Sequence, residues 1–152
     1  MHTWLHTQLR TRYGPWAIVT GASEGIGRAL ADQLAASGIH LVLVARRQAV
    51  LQALADTYTA QYPIETRVVA VDLATETGWK TVTRATKDLD VGLLVASAGF
   101  GTSGLFIDND LNNELDMVNV NCRALLALTH HYGRRFAAQK RGGIILMSSL
   151  LA

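Results

Sequence analysis

Cysteine is almost absent from this sequence, since Cys122 is the single cysteine in 152 residues. One thiol cannot form an intrachain disulfide, and it cannot supply the several thiolates of a cysteine-bound metal cluster. The five histidines also lack the spacing to carboxylates, or to one another, that a zinc site requires. The composition therefore predicts a chain without a metal in a reducing compartment, for which we expect the cytoplasm.

Long apolar runs and a strong net charge are missing as well. No run approaches the roughly 20 apolar residues that span a bilayer, and the N-terminus lacks the apolar core of a secretion signal. The formal net charge of +2 is too small to favour nucleic acid or an anionic membrane as a partner. With 152 residues, of which 49% are hydrophobic, the chain is expected to form one domain over residues 1–152 with its own core.

Short apolar runs alternate with longer amphipathic segments, which is typical of β-α-β units and a parallel sheet. The pattern predicts five strands, at residues 17–19, 41–44, 66–71, 91–96 and 144–147. Right-handed crossovers in this order imply an α/β, doubly wound sheet with strand order 3-2-1-4-5. The cleft of such a sheet lies beside strands one and four, where the winding reverses.

The predicted helices lie between these strands. The first covers residues 26–37, the second ends before Pro63, the third covers residues 79–89, and a long one runs from about 110 to 139. On the long helix, the residues expected to face the core are Leu115, Val118, Cys122, Leu125 and Leu126.

The turn between the first strand and the first helix is unusually rich in glycine. Residues 20–27 read Thr-Gly-Ala-Ser-Glu-Gly-Ile-Gly. Such a turn presents bare N–H groups at the positive end of a helix, as binding of a pyrophosphate requires. We expect Gly21 to permit the tight turn, Gly25 to let phosphate approach, and Gly27 to let the helix pack on the sheet. A glycine-rich surface turn without a ligand is the alternative, which the strand-turn-helix context disfavours.

This stretch resembles the signature Thr-Gly-x-x-x-Gly-Ile-Gly of the short-chain dehydrogenase/reductase family, whose fold is of the Rossmann type. The resemblance covers the whole chain but only part of a typical member, so the sheet is expected to be incomplete at the C-terminus. It implies a nicotinamide dinucleotide cofactor and hydride transfer to or from a small-molecule carbonyl or alcohol substrate. The residues of the turn implied as cofactor contacts are Gly21, Ser23, Glu24, Gly25, Ile26 and Gly27.

The residues after the second strand bear on the choice between NADP and NAD. In dinucleotide-binding folds an acidic residue here accepts from the 2′-hydroxyl of NAD, whereas arginine favours the 2′-phosphate of NADP. Ala45 stands where NAD-preferring members have aspartate, and Arg46 where many NADP-preferring members have arginine. The resemblance thus implies NADP rather than NAD, although Glu24 fills a slot that is often basic in NADP-preferring members. A solvated helix entrance is the alternative for Arg46 and the favoured interpretation of Arg47.

Two further turns are implied as cofactor contacts by the resemblance. Asp72 and Leu73 follow the third strand and would lie beside the adenine ring, with the aspartate accepting from the adenine amino group. Capping of the next helix is the alternative for Asp72. Ser97, Ala98 and Gly99 stand at the family's Asn-Ala-Gly turn after the fourth strand, where small residues let the backbone lie against the cofactor. Serine here replaces the family's asparagine.

The resemblance implies catalytic roles for Asn121 and Ser149. Asn121 aligns with an asparagine of the family's proton relay, and a buried asparagine satisfied by the backbone is the alternative. Ser149 is the second of a serine pair after strand five, which in the family orients the substrate carbonyl or hydroxyl; a simple turn at the strand end is the alternative. The family's Tyr-x-x-x-Lys pair does not occur in the 152 residues. We therefore expect a fragment of a longer protein with little or no turnover by itself. Intact relatives commonly form dimers or tetramers.

Two other functional classes are alternatives to an oxidoreductase. A non-catalytic dinucleotide-binding sensor or scaffold would dispense with the missing tyrosine, and cofactor binding without turnover would distinguish it from an enzyme. A methyltransferase on a related sheet would place an acidic residue after the second strand. Ala45 and Arg46 argue against the methyltransferase.

Overall fold

The computed structural model describes residues 2–148, which form a five-stranded parallel sheet in the order β3-β2-β1-β4-β5. This confirms the predicted fold class and strand order. The strands are β1 Trp16–Thr20, β2 His40–Ala45, β3 Thr66–Ala70, β4 Val91–Ala96 and β5 Gly143–Leu146. The central strands β1 and β4 are buried along their whole length, as their continuous apolar sequences require when helices cover both faces.

Helices lie on both faces of the sheet. They are α1 His2–Tyr13, α2 Gly25–Ala36, α3 Gln48–Gln61, α4 Glu76–Ala85, α5 Leu111–Val118 and α6 Leu125–Gln139, and a short 3-10 turn covers Phe106–Asp108. Along β1, Ala17 and Val19 pack in the core beneath α2 and α3, whereas Ile18 packs in the core beneath α4 and α6. This alternation divides the apolar core into two layers.

The N-terminal helix α1 was not predicted from the sequence. Its last residue, Tyr13, packs against the core, and the Tyr13 carbonyl lies against Gly92 so closely that a Cβ there would come within 1.8 Å of the oxygen. The β1–β4 register shifts at the same place, where Trp16 pairs with Val91 and Ala17 with Leu93. Gly92 is therefore the extra residue of a bulge that makes room for the end of α1.

The prediction of the inward face of the long helix was largely wrong. Leu115, Val118 and Leu126 are 52%, 50% and 69% exposed, and Cys122 is exposed too, while Leu125 does pack against the core. The side chains buried on the sheet are Ala124, Leu128, Tyr132 and Phe136.

The error has a physical cause. The predicted continuous helix is divided by a six-residue π-helical segment, Asn119–Ala124, whose wider turn changes which residues face inward. Furthermore, α6 packs on β4 and β5, whereas α5 borders the cleft at the end of the sheet. The apolar residues of α5 therefore have no strand beneath them to cover.

A buried polar contact joins α6 to the end of α4. The hydroxyls of Tyr132 and Thr86 lie 2.6 Å apart, and neither residue is accessible to solvent. The Thr86 hydroxyl also lies 3.0 Å from the Val82 carbonyl, to which it donates. Burial raises the pKa of Tyr132. Arg135 adds a bond to the Thr86 carbonyl at 3.1 Å, which secures the segment before β4.

We expect Tyr132→Phe to lower the free energy of unfolding by about 1 kcal/mol, because the change removes one buried hydrogen bond and little volume. Chemical denaturation measures the difference. Tyr62→Phe is the matched control, since the Tyr62 hydroxyl has no hydrogen-bond partner among residues 2–148, and it should change stability by less than about 0.5 kcal/mol. Equal effects of the two substitutions would contradict the role assigned to this contact.

Candidate functional site

A cleft of about 1170 Å³ opens at the carboxyl ends of β1 and β4, where the strand order reverses. This is where ligands bind in open α/β sheets. Thirteen of the fourteen residues predicted for the site line the cleft: Gly21, Ser23, Glu24, Gly25, Ile26, Gly27, Arg46, Asp72, Leu73, Ser97, Ala98, Gly99 and Asn121. The fourteenth, Ser149, lies outside the described residues.

Gly21 and Gly27 have no room for a side chain. Gly21 has φ +67°, and a Cβ on it would lie 2.9 Å from the Ser97 carbonyl oxygen. A Cβ on Gly27 would lie 2.4 Å from the Gly21 carbonyl oxygen. The turn after β1 is thus pressed against the turn after β4 on one side and against the first turn of α2 on the other.

Gly25 is different, because space rather than protein surrounds it. It begins α2 with φ +58°, and no atom lies within 4 Å of where its Cβ would be. The preceding residue, Glu24, makes no side-chain hydrogen bond that caps the helix. The N-terminus of α2 therefore faces the cleft with its positive end open to an anion.

Thr20 contributes a contact that the sequence analysis missed. Its buried Oγ1 accepts hydrogen bonds from the N–H groups of Ser97 and Ala98, both at 3.0 Å. These bonds fasten the turn after β4 to the end of β1, and they fix the spacing between the two walls of the cleft. The sequence placed Thr20 in the glycine motif without assigning it this role.

Asn121 holds the loop that follows Gly99. Its Oδ1 accepts from the Phe100 N–H at 3.1 Å, and its Nδ2 donates to the Phe100 carbonyl at 2.8 Å. A Cβ on Gly99 would lie 3.0 Å from Oδ1, so a side chain there would press on the Asn121 amide. Asn121 lies in the π-helical segment. The amide is satisfied by backbone, as the structural alternative required, and its part in a proton relay stays a prediction.

Asp72 turns the chain after β3. One carboxylate oxygen, Oδ1, accepts from the Ala74 N–H at 2.9 Å, and the Thr75 hydroxyl donates to the Asp72 carbonyl at 2.9 Å. Helix α4 begins later, at Glu76, with Thr75 preceding it. The carboxylate of Asp72 therefore forms a local turn rather than a helix cap, and the residue still borders the cleft.

Arg46 and Arg47 differ in their surroundings. Arg47 Nη2 donates to Glu24 Oε2 at 2.7 Å and to Ser23 Oγ at 3.2 Å, so it joins the start of α3 to the glycine turn. The sequence had favoured a purely solvated role for Arg47. Arg46 lines the cleft and has no ion-pair partner within residues 2–148. Its guanidinium is available to an anionic ligand.

Sequence reasoning also missed part of the wall formed by the long helix. Asn113, Asp116, Met117 and Val120 line this side, and Met147 and Ser148 follow β5 opposite. The helix was interpreted mainly as a packing element, and of its polar residues only Asn121 was predicted for the site. Their helical spacing was the signal that could have identified them.

Comparison with known proteins shows the family. The family model described as short chain dehydrogenase matches residues 15–152. A 7beta-hydroxysteroid dehydrogenase from Collinsella aerofaciens is 39% identical over 142 residues, which are 93% of this chain and 54% of that protein. The chain belongs to the short-chain dehydrogenase family, and it spans about half the length of the curated relatives it matches.

Solved structures agree with this assignment. One, solved for a study of 7beta-hydroxysteroid dehydrogenase stereoselectivity, superimposes with a TM-score of 0.86 at 38% identity, over 90% of this chain and 54% of that one. A short-chain dehydrogenase from Sphingobium yanoikuyae in complex with NADPH gives 0.81 at 31% identity, over 86% and 52% of the two chains. The family is one of oxidoreductases that act on small molecules.

Within residues 2–148, no helix has the length and hydropathy to cross a bilayer. Nor does that part of the chain contain a group of three or more His, Cys, Asp or Glu side chains placed to hold a metal ion.

We expect Asn121→Ala to loosen the loop after β4, because it removes both hydrogen bonds to the Phe100 backbone. Amide hydrogen exchange at Phe100 should become faster by roughly five- to thirtyfold, as the loss of about 1–2 kcal/mol of local stability implies. Asn113→Ala is the control, since Asn113 also lines the cleft but has no hydrogen bond to Phe100. An unchanged exchange rate in Asn121→Ala would contradict this clamp.

Proposed function

We propose that this chain is the cofactor-binding portion of an NADP-dependent oxidoreductase that interconverts a carbonyl and an alcohol in a small molecule. The single observation that carries the proposal is the open N-terminus of α2 at Gly25, set between the close-packed glycines of the same turn. A diphosphate needs such bare, positively polarised N–H groups and needs room to approach them. When bound, the nicotinamide donates or accepts a hydride.

The other residues of the cleft support a dinucleotide rather than a smaller anion. Asp72 and Leu73 after β3, and Ser97, Ala98 and Gly99 after β4, line the cleft on either side of the glycine turn. We assign Asp72 and Leu73 to the adenosine end. Arg46, without an ion-pair partner within residues 2–148, is the residue we assign to the 2′-phosphate. The Sphingobium yanoikuyae relative solved with NADPH supports NADP over NAD.

In the proposed reaction Ser149 hydrogen-bonds the reacting oxygen of the substrate, and Asn121 takes part in the proton relay. Two of the tyrosines within the described residues, Tyr132 and Tyr58, are unsuited to act as the proton donor. Tyr132 is buried against Thr86. The Tyr58 hydroxyl lies 2.6 Å from Asp32, and burial together with that carboxylate raises the pKa of Tyr58 well above its usual value. A proton donor near neutral pH requires the opposite shift.

Substitution of Gly25 by alanine tests the cofactor site. We expect Gly25→Ala to weaken NADP binding at least about tenfold in calorimetry, because the new methyl group would project into the space assigned to the diphosphate. Gly38→Ala is a matched control, since Gly38 also has positive φ, +76°, and open space at its Cβ, yet follows the far end of α2. Both variants should lose about 1 kcal/mol of stability from backbone strain.

Equal NADP affinity of the two alanine variants would contradict the proposed diphosphate site. Circular dichroism of both variants shows whether each is folded, so that a loss of binding can be assigned to the site.

We also expect this 152-residue chain to have no measurable turnover, because it contains no Tyr-x-x-x-Lys pair. General acid–base catalysis is commonly worth about 10²–10⁴-fold in rate. Oxidation of NADPH is followed by the absorbance of its reduced nicotinamide with a panel of ketones, while NADPH binding is measured in parallel. Steady turnover above the protein-free rate would contradict this expectation.

A further inference from the structure

The contact between Glu24 and Arg47 crosses the mouth of the cleft. Glu24 belongs to the glycine turn after β1, and Arg47 stands between β2 and α3. Arg47 Nη2 lies 2.7 Å from Glu24 Oε2 and 3.2 Å from Ser23 Oγ. All three residues line the cleft, beside Arg46. The Glu24 carboxylate thus accepts a hydrogen bond from Arg47 at the rim of the cleft. The proposed cofactor would place its 2′-phosphate at the same rim.

The charges at this rim do not favour a phosphate as strongly as two adjacent arginines would. A 2′-phosphate brings about two negative charges at neutral pH. Arg46 is open to it, but the charge of Arg47 is offset by Glu24, whose own charge would lie close to the phosphate. NAD has a neutral hydroxyl at this position, so the Glu24 carboxylate imposes no comparable penalty on it.

We propose that Glu24 competes with the cofactor's 2′-phosphate for Arg47, and thereby reduces the preference of this chain for NADP over NAD. The inference rests on the proposed function, since it requires the cofactor in this cleft. Binding of NADP releases Arg47 from Glu24 and transfers its N–H donors to the phosphate oxygens. The side chains of Arg47 and Glu24 are 55% and 76% exposed. An ion pair so exposed is weak enough for a doubly charged phosphate to displace it.

A positioning role for Glu24 would have the opposite consequence. If the carboxylate held Arg47 in the orientation that binds phosphate, its removal would weaken NADP binding. The exposure of both side chains favours competition, because an exposed surface pair restrains the arginine little.

Glu24→Gln separates these possibilities, because glutamine keeps the size of the side chain and removes its charge. We expect the Kd for NADP, measured by calorimetry, to fall roughly three- to tenfold, while the Kd for NAD changes by less than about twofold. The gain should shrink at about 0.5 M salt, where exposed charges are screened. Glu65→Gln is the matched control, since Glu65 is an exposed glutamate that precedes β3. It lies at the amino ends of the strands, opposite the cleft, and its substitution should leave both affinities unchanged.

Arg47→Ala completes the cycle. Competition requires that Glu24→Gln give a clearly smaller gain in NADP affinity when Arg47 is already alanine. An equal gain in both backgrounds would show simple repulsion by Glu24 and would overturn the inference. So would an unchanged or higher Kd for NADP in Glu24→Gln, or a weakening of NAD binding alone.

The same titrations separate this inference from the proposed function. If the unsubstituted chain, shown to be folded by circular dichroism, binds neither NADP nor NAD, the proposed function fails and the inference fails with it. If it binds NADP but Glu24→Gln brings no gain, the proposed function stands and only the inference fails.

Discussion

Two hydrogen bonds to the Thr20 hydroxyl hold the carboxyl ends of β1 and β4 together, and the geometry of the cleft depends on them. They allow the carbonyl of Ser97 to approach Gly21 so closely that no side chain fits between. A hydroxyl that accepts from two successive backbone N–H groups also satisfies donors that would otherwise be buried at the end of a strand. These two hydrogen bonds close the base of the cleft, and the two turns separate above it.

The same constraint explains why the site is divided between distant parts of the sequence. At the reversal of strand order, the chain leaves β1 toward one face of the sheet and β4 toward the other, so the two turns diverge above a common base. The glycine turn and α2 form one wall, and the long helix with its π-helical segment forms the other. Asn121 joins the second wall to the loop after β4 through the backbone of Phe100.

Much of this arrangement could be predicted from the sequence because it depends on local patterns. Buried parallel strands need continuous apolar runs, and the tight turn after β1 needs glycine at Gly21, so both features are visible without the fold. The inward face of the long helix was predicted wrongly, because apolar spacing assumes one helical period and Asn119–Ala124 breaks it. Helix α1 was missed because it has no strong apolar stripe. Its placement depends on the space left by the absent side chain of Gly92.

The sequence by itself determined the strands, their order and the glycine turn, since each follows from the preferences of neighbouring residues and from the handedness of the crossovers. The tertiary structure decided which side chains meet. Tyr132 contacts Thr86, which lies 46 positions earlier in the chain, and Arg47 contacts Glu24, which lies 23 positions earlier. Such pairs depend on the distance between elements after packing, for which no local pattern in the sequence carries a signal.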